Sequence, residues 1–152
     1  MTRKADFNAE EWSLVLQGPP VAGMMVMAAE RGGTVRESVQ MGQAYAEARQ
    51  RQGTNELLDE IVSSNPEFDR EGFRSPDDLR QRGPDRLREA VALLSQKATP
   101  QEVEDYKRFI QELAERVARA HKEGGFLGMG GKEISPAEQA ALDEVSAALL
   151  SA

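Results

Sequence analysis

The densest candidate for chemistry is KEGGFLGMGGKEISPAEQ, residues 122–139, where five of the eight positions from Gly124 to Gly131 are glycine and Lys132 follows. Successive glycine N–H groups beside a lysine are the parts of a phosphate cradle. A Walker A loop needs G-x-x-x-x-G-K-[ST] after a strand, so that backbone donors wrap the phosphates and a hydroxyl holds magnesium. Ending such a loop at Gly131 and Lys132 puts Phe126 at the first glycine and Glu133 at the hydroxyl. The dinucleotide fingerprint G-x-G-x-x-G fails too, because Gly128 and Gly130 would require a third glycine where Glu133 stands. The spacing instead predicts a helix ending at Gly124 or Gly125 in the left-handed cap manner, then a connector through Phe126, Leu127, Gly128, Met129, Gly130 and Gly131. Its apolar side chains predict an ordered connector, and its free N–H groups make Gly124–Gly131 the candidate loop for a small ligand or a partner.

Other chemistry is sparse. With no cysteine there is no thiol nucleophile, disulfide or cysteine zinc site. His121 is the only histidine, which excludes H-E-x-x-H sites; paired Glu-x-x-His di-iron motifs also fail, since Ala118 occupies the glutamate position. A lone histidine near a helix C-terminus is more simply a favourable dipole partner. No G-x-S-x-G and no calcium-binding loop with alternating acids occurs. No catalytic, cofactor or metal residue is assigned, and the expectation is a protein that is not an enzyme. A net charge of −7 repels phosphate backbones, and the arginines between Arg70 and Arg88 are offset by neighbouring acids, so nucleic acid is not an expected partner. The start MTRKADFNAEEW lacks the apolar core of a secretory signal, and the apolar run Val21–Ala29 is too short for a bilayer. The expectation is a cytoplasmic protein without a membrane span, whose associations would be with a second copy or another protein.

Helix starts organise the chain. A capping box pairs a small polar N-cap with an acid or amide three residues later, each satisfying an orphan N–H of the other. The sequence offers Asn8 with Glu11, Thr34 with Glu37, Ser75 with Asp78, Thr99 with Glu102, and Ser135 with Glu138. Pro76, Pro100 and Pro136 add proline at the first helical position, where its missing N–H costs nothing. Phe7 before the first cap is placed to staple onto Trp12.

The stretches behind these caps carry helical period. Val103, Tyr106, Ile110, Leu113, Val117 and Ala120 form the longest seam, with Glu104, Arg108, Glu112 and Arg116 at i,i+4 steps on a face read as solvated. Leu87, Ala90, Val91 and Leu94 follow a break at Gly83–Pro84, and Leu142, Val145 and Leu149 mark the last helix. Between Thr34 and Gly53 the predicted buried stripe is Val35, Val39, Gly42 and Ala46, backed by Met41 and Tyr45. A short helix is expected around Leu57, Leu58, Ile61 and Val62. After a break at Gly18–Pro20, the run VAGMMVMAA is apolar all round and predicts a helix in the middle of the bundle or under a second subunit. The stretch 66–83 reads as a surface crossover with one short helix. No useful length alternates with period two. These signals predict an all-α fold, a compact single-domain bundle of six to eight helices.

The ends FNAEEWSLVLQGPPVAG and AHKEGGFLGMGGKEISPAEQAALDEVSAAL resemble a group of small bacterial helical proteins with an F-x-x-x-E-W start and a GGFLGxGG connector before an S-x-x-E helix. That resemblance implies a helical fold and brings no activity with it. A weaker likeness is to tellurite-resistance-B-like bundles, in which a helix, a turn and a glutamate-led helix recur twice. Glu30 with Glu37, and Glu123 with Glu138, hold the corresponding places, but the turn aspartates of that pattern are absent. The reading reached is a binding or structural protein. Its alternative is a bundle that takes a divalent cation or a small anion near the two glycine turns.

Overall fold

The computed structural model describes residues 2–29, 34–51, 53, 55–64, 73, 75–123 and 135–150, with backbone alone at 34–38 and 121–123. Among them are six α-helices and no strand: α1 Ala9–Ala29, α2 Thr34–Gln50, α3 Glu56–Ser63, α4 Pro76–Lys97, α5 Pro100–Glu123 and α6 Pro136–Leu150, after a 3₁₀ turn at Lys4–Asp6. The fold is all-α, at the low end of the expected helix count. One apolar core joins all six helices.

The local signals at helix starts hold. The Asn8 side chain accepts from Glu11 N at 2.8 Å, and Glu11 accepts from Asn8 N at 2.9 Å. Thr99 with Glu102 and Ser135 with Glu138 close the same reciprocal boxes, and Ser75 accepts from Asp78 N. Pro76, Pro100 and Pro136 open their helices. The Phe7 and Trp12 rings meet at 5.5 Å, forming the staple. The side chains of Thr34 and Glu37 lie outside the described residues.

The Thr99 box is also a tertiary contact. Glu102 Oε1 accepts from the Thr2 hydroxyl at 2.7 Å and Oε2 from Thr2 N at 3.0 Å. Burial pushes the Glu102 carboxyl up, but the hydrogen bonds from Thr99 and Thr2 outweigh it and hold the group below its ordinary value of 4.5. A depressed folded value means stability that is present above the unfolded pKa and lost as pH falls through the folded one. Glu102→Gln should therefore cost about 1 kcal/mol at neutral pH, where one carboxylate acceptor is lost. Melting temperatures of variant and wild type should converge well below pH 4.5. A gap that persists unchanged to low pH would show that the charge of Glu102 contributes nothing.

Two expected helix breaks are bridged. α1 runs unbroken through Pro19 and Pro20, and α4 through Pro84. An interior proline removes the N–H that would bond the carbonyl four residues back, so Pro19 leaves the Val15 carbonyl without its helical donor. The Tyr106 hydroxyl of α5 donates to that carbonyl at 2.7 Å. Gly18 makes room for it: a Cβ there would stand 2.0 Å from the Tyr106 hydroxyl oxygen. The stretch 76–83, expected as a separate short helix, is the first part of α4, with Gly83 buried against Met25. Residues 66–72 and 74 of the expected crossover lie outside the described residues. Phe73 is described, and it sits buried under the guanidiniums of Arg82 and Arg86.

Continuity makes α1 as a whole long and apolar enough by length and composition alone to cross a bilayer, which the nine-residue run Val21–Ala29 by itself is not, and the helix is no clear membrane span. Burial gives a different reason to place it in protein: 72% of its apolar window is buried within the bundle. It packs on α4, α5 and α6, which is the central position its all-round apolarity predicted. Neighbours approach closely at Gly23, where Met41 and Leu113 occupy the space of a missing side chain.

The face of α2 differs from expectation. Val39 is 51% exposed, and Gly42 and Ala46 face solvent, while Ala44 and Tyr45 are buried with Met41 and Ala48 partly so. Both faces of this helix carry small apolar residues, and the large ring decides between them: Tyr45 packs edge-on against Phe109 at 5.4 Å. The Val35 side chain lies outside the described residues. Gly53, after the helix, takes a φ of 112°, which glycine adopts without strain.

Candidate functional site

Gly124, Gly125, Phe126, Leu127, Gly128, Met129, Gly130 and Gly131, the loop singled out by sequence, all lie outside the described residues, as do Lys132 and the His121 side chain. Elsewhere, a groove of about 710 Å³ lies between α2, α3 and α5.

Two polar contacts between distant parts of the chain shape it. Asn55 caps α3 by accepting from Leu58 N at 2.9 Å and donates through Nδ2 to Asp105 of α5 at 3.0 Å. One buried amide thus starts α3 and fixes it against α5. Arg116 reaches from α5 to Glu47 of α2 at 2.7 Å. Between these ties the floor is apolar, made by Ala44 and Ala48 of α2, Leu58 of α3, and Phe109 and Leu113 of α5.

The rims are charged with both signs. Arg108 stands 3.6 Å from Asp105 and Arg119 stands 3.9 Å from Glu115. The expected Glu104–Arg108 and Glu112–Arg116 ladder is replaced: Glu104 pairs with Lys107, Arg108 with Asp105, and Arg116 with α2. Asp59 accepts from Gly53 N at 2.9 Å. The side chains of Arg51 and Glu112 line the groove with no ion-pair or hydrogen-bond partner among the described residues.

No family model, curated protein or solved structure matches the chain. The groove's own chemistry is therefore the guide. Among the described residues its lining offers guanidinium, carboxylate, amide and apolar surface, and no Ser, Thr, Cys, His or Lys. Among the described residues no group of three or more acidic or histidine side chains is placed to hold a metal ion.

Three buried polar atoms lack a hydrogen-bond partner among the described residues: Trp12 Nε1, Tyr45 Oη and Glu138 Oε2. Burial pushes the Tyr45 hydroxyl up, with Arg49 pulling weakly the other way. Tyr106 is raised by burial and further by Tyr45, so both phenols stay neutral. Sequence reasoning missed the groove because its residues read as ordinary surface. Phe109 lies off the predicted seam, and the charged face of α5 carried no sign that α2 and α3 would wall it in.

Proposed function

We propose that the chain is a non-enzymatic binding protein and that the groove between α2, α3 and α5 is its binding face. The observation that carries this reading is an apolar floor rimmed by charges of which Arg51 and Glu112 have no partner among the described residues. Binding sites commonly combine an apolar surface with a few polar groups that fix orientation.

The test is thermal melting against free amino acids, short peptides, polyamines, phosphate compounds and nucleotides. A compound that binds the native state at a hundred times its Kd should add about 2.7 kcal/mol of stability. Ala48→Arg, which fills the floor from a half-buried position, should abolish that gain. A stabilising compound unaffected by Ala48→Arg would move the binding site away from the groove.

A divalent cation or small anion near the glycine turns is the second reading, and one observation favours the cation. Glu138 is fully buried, and its Oε2 has no hydrogen-bond partner among the described residues. It is also the one glutamate of the tellurite-resistance-B-like outline whose side chain is described. Calcium, magnesium, manganese and zinc belong in the same panel. A cation-dependent rise in melting temperature that Glu138→Gln removes would favour this reading over the groove.

A further inference from the structure

We propose that the groove takes an extended peptide segment of about six residues from a partner protein, carrying a basic side chain against Glu112 and an acidic group toward Arg51. The inference rests on the groove being the binding face.

Shape is the first argument. Along α5 the lining runs from Asp105 to Arg119, about 21 Å at about 1.5 Å per residue. A volume of about 710 Å³ spread over that length is a slender trough. Its section of about 34 Å² is of the order of one extended chain, whose spacings are about 4.8 Å and 10 Å. Six extended residues at about 3.3 Å each span the trough from end to end.

Charge is the second. Three ion pairs consume Glu47, Asp105 and Glu115 with Arg116, Arg108 and Arg119; of the remaining lining charges Asp59 accepts from Gly53 N, while Glu112 and Arg51 have no side-chain partner among the described residues. Arg51 belongs to the α3 end, beside Asn55, which holds Asp105. Glu112 lies two helical turns further along α5 from Asp105, about 10 Å. A ligand of one sign would satisfy one of these groups and oppose the other, whereas a chain bearing both signs satisfies both. The floor at Phe109, Leu113 and Ala44 then receives an apolar side chain between them.

Random hexapeptides displayed on phage, with flexible flanks, should be selected on wild type, Glu112→Arg and Arg51→Glu. Both positions are exposed, so both variants should fold as wild type does. Wild type should enrich peptides with a basic and an acidic residue separated along the chain. A synthetic copy of the enriched peptide should lose affinity about tenfold or more with either variant, and selection on Glu112→Arg should enrich an acid where wild type selected a base. The proposal is overturned if no peptide is enriched over a blank surface, or if enriched peptides ignore both reversals. It is overturned equally if light scattering shows a dimer that the reversals dissociate, which would put a second copy in the trough. If a small compound stabilises the protein in an Ala48-dependent way while peptides do not bind, the groove remains the binding face and the peptide inference alone fails. If neither binds, both fail.

Discussion

Val26→Asp should leave a chain that does not fold cooperatively. Val26 is fully buried on α1, the helix that packs on α4, α5 and α6. Among the described residues, every position from Val15 to Met27 except Met24 is buried. An unpaired carboxylate at such a point must either stay ionised in an apolar surrounding or take up a proton and still lack hydrogen-bond partners. Costs above 4–5 kcal/mol arise in this way and are comparable to the whole stability of a domain of about this size. Circular dichroism should show lost cooperativity on heating. Met24→Asp, at the half-exposed position of the same helix, should cost much less. A Val26→Asp protein that keeps its melting temperature but changes its size by light scattering would place this face of α1 between subunits instead of inside one.

That α1 is central was legible, but its length was not, and the two cases show what sequence carries. All-round apolarity is a property of the segment itself, as are the caps at Asn8, Thr99 and Ser135, whose partners lie three residues away. Continuity through Pro19 depends on a hydroxyl 91 residues distant. The face of α2 was misread for a related reason: Val39, Gly42 and Ala46 keep helical spacing as well as Met41, Ala44, Tyr45 and Ala48 do. Only the Tyr45 contact with Phe109 distinguishes them. The groove is less legible still, because its walls are drawn together by Asn55 with Asp105 and by Glu47 with Arg116, pairs separated by 50 and 69 residues. A charged helix face looks the same in sequence whether it meets open water or borders a cleft. Asn55 could have been found, since an asparagine three residues before Leu58 at the start of an apolar run is a cap signal. Nothing local announced its second bond.

Gly18→Ala should destabilise the protein by about 2–4 kcal/mol, although alanine is the better helix former by about 1 kcal/mol. The added methyl would lie 2.0 Å from the Tyr106 hydroxyl oxygen and 3.0 Å from the ring carbon that bears it. Tyr106 is fully buried and its ring is rigid, so the hydroxyl cannot swing aside as a flexible chain end would. Accommodating the methyl costs about 1–3 kcal/mol of overpacking. Moving the ring also withdraws the donor from Val15 O, leaving a buried carbonyl unsatisfied for about another 1–3 kcal/mol. Tyr106→Phe should incur only that second cost. In the double variant the offending oxygen is already gone, so the alanine meets a residual squeeze from the ring and from Ile110. The two substitutions should therefore couple, the double variant being more stable than the sum of the single effects predicts by about 1–3 kcal/mol. Urea denaturation of wild type, both single variants and the double variant measures this directly. Additivity within about 0.5 kcal/mol would mean that Gly18 and Tyr106 act independently, and that the hydroxyl is not what lets α1 run through Pro19.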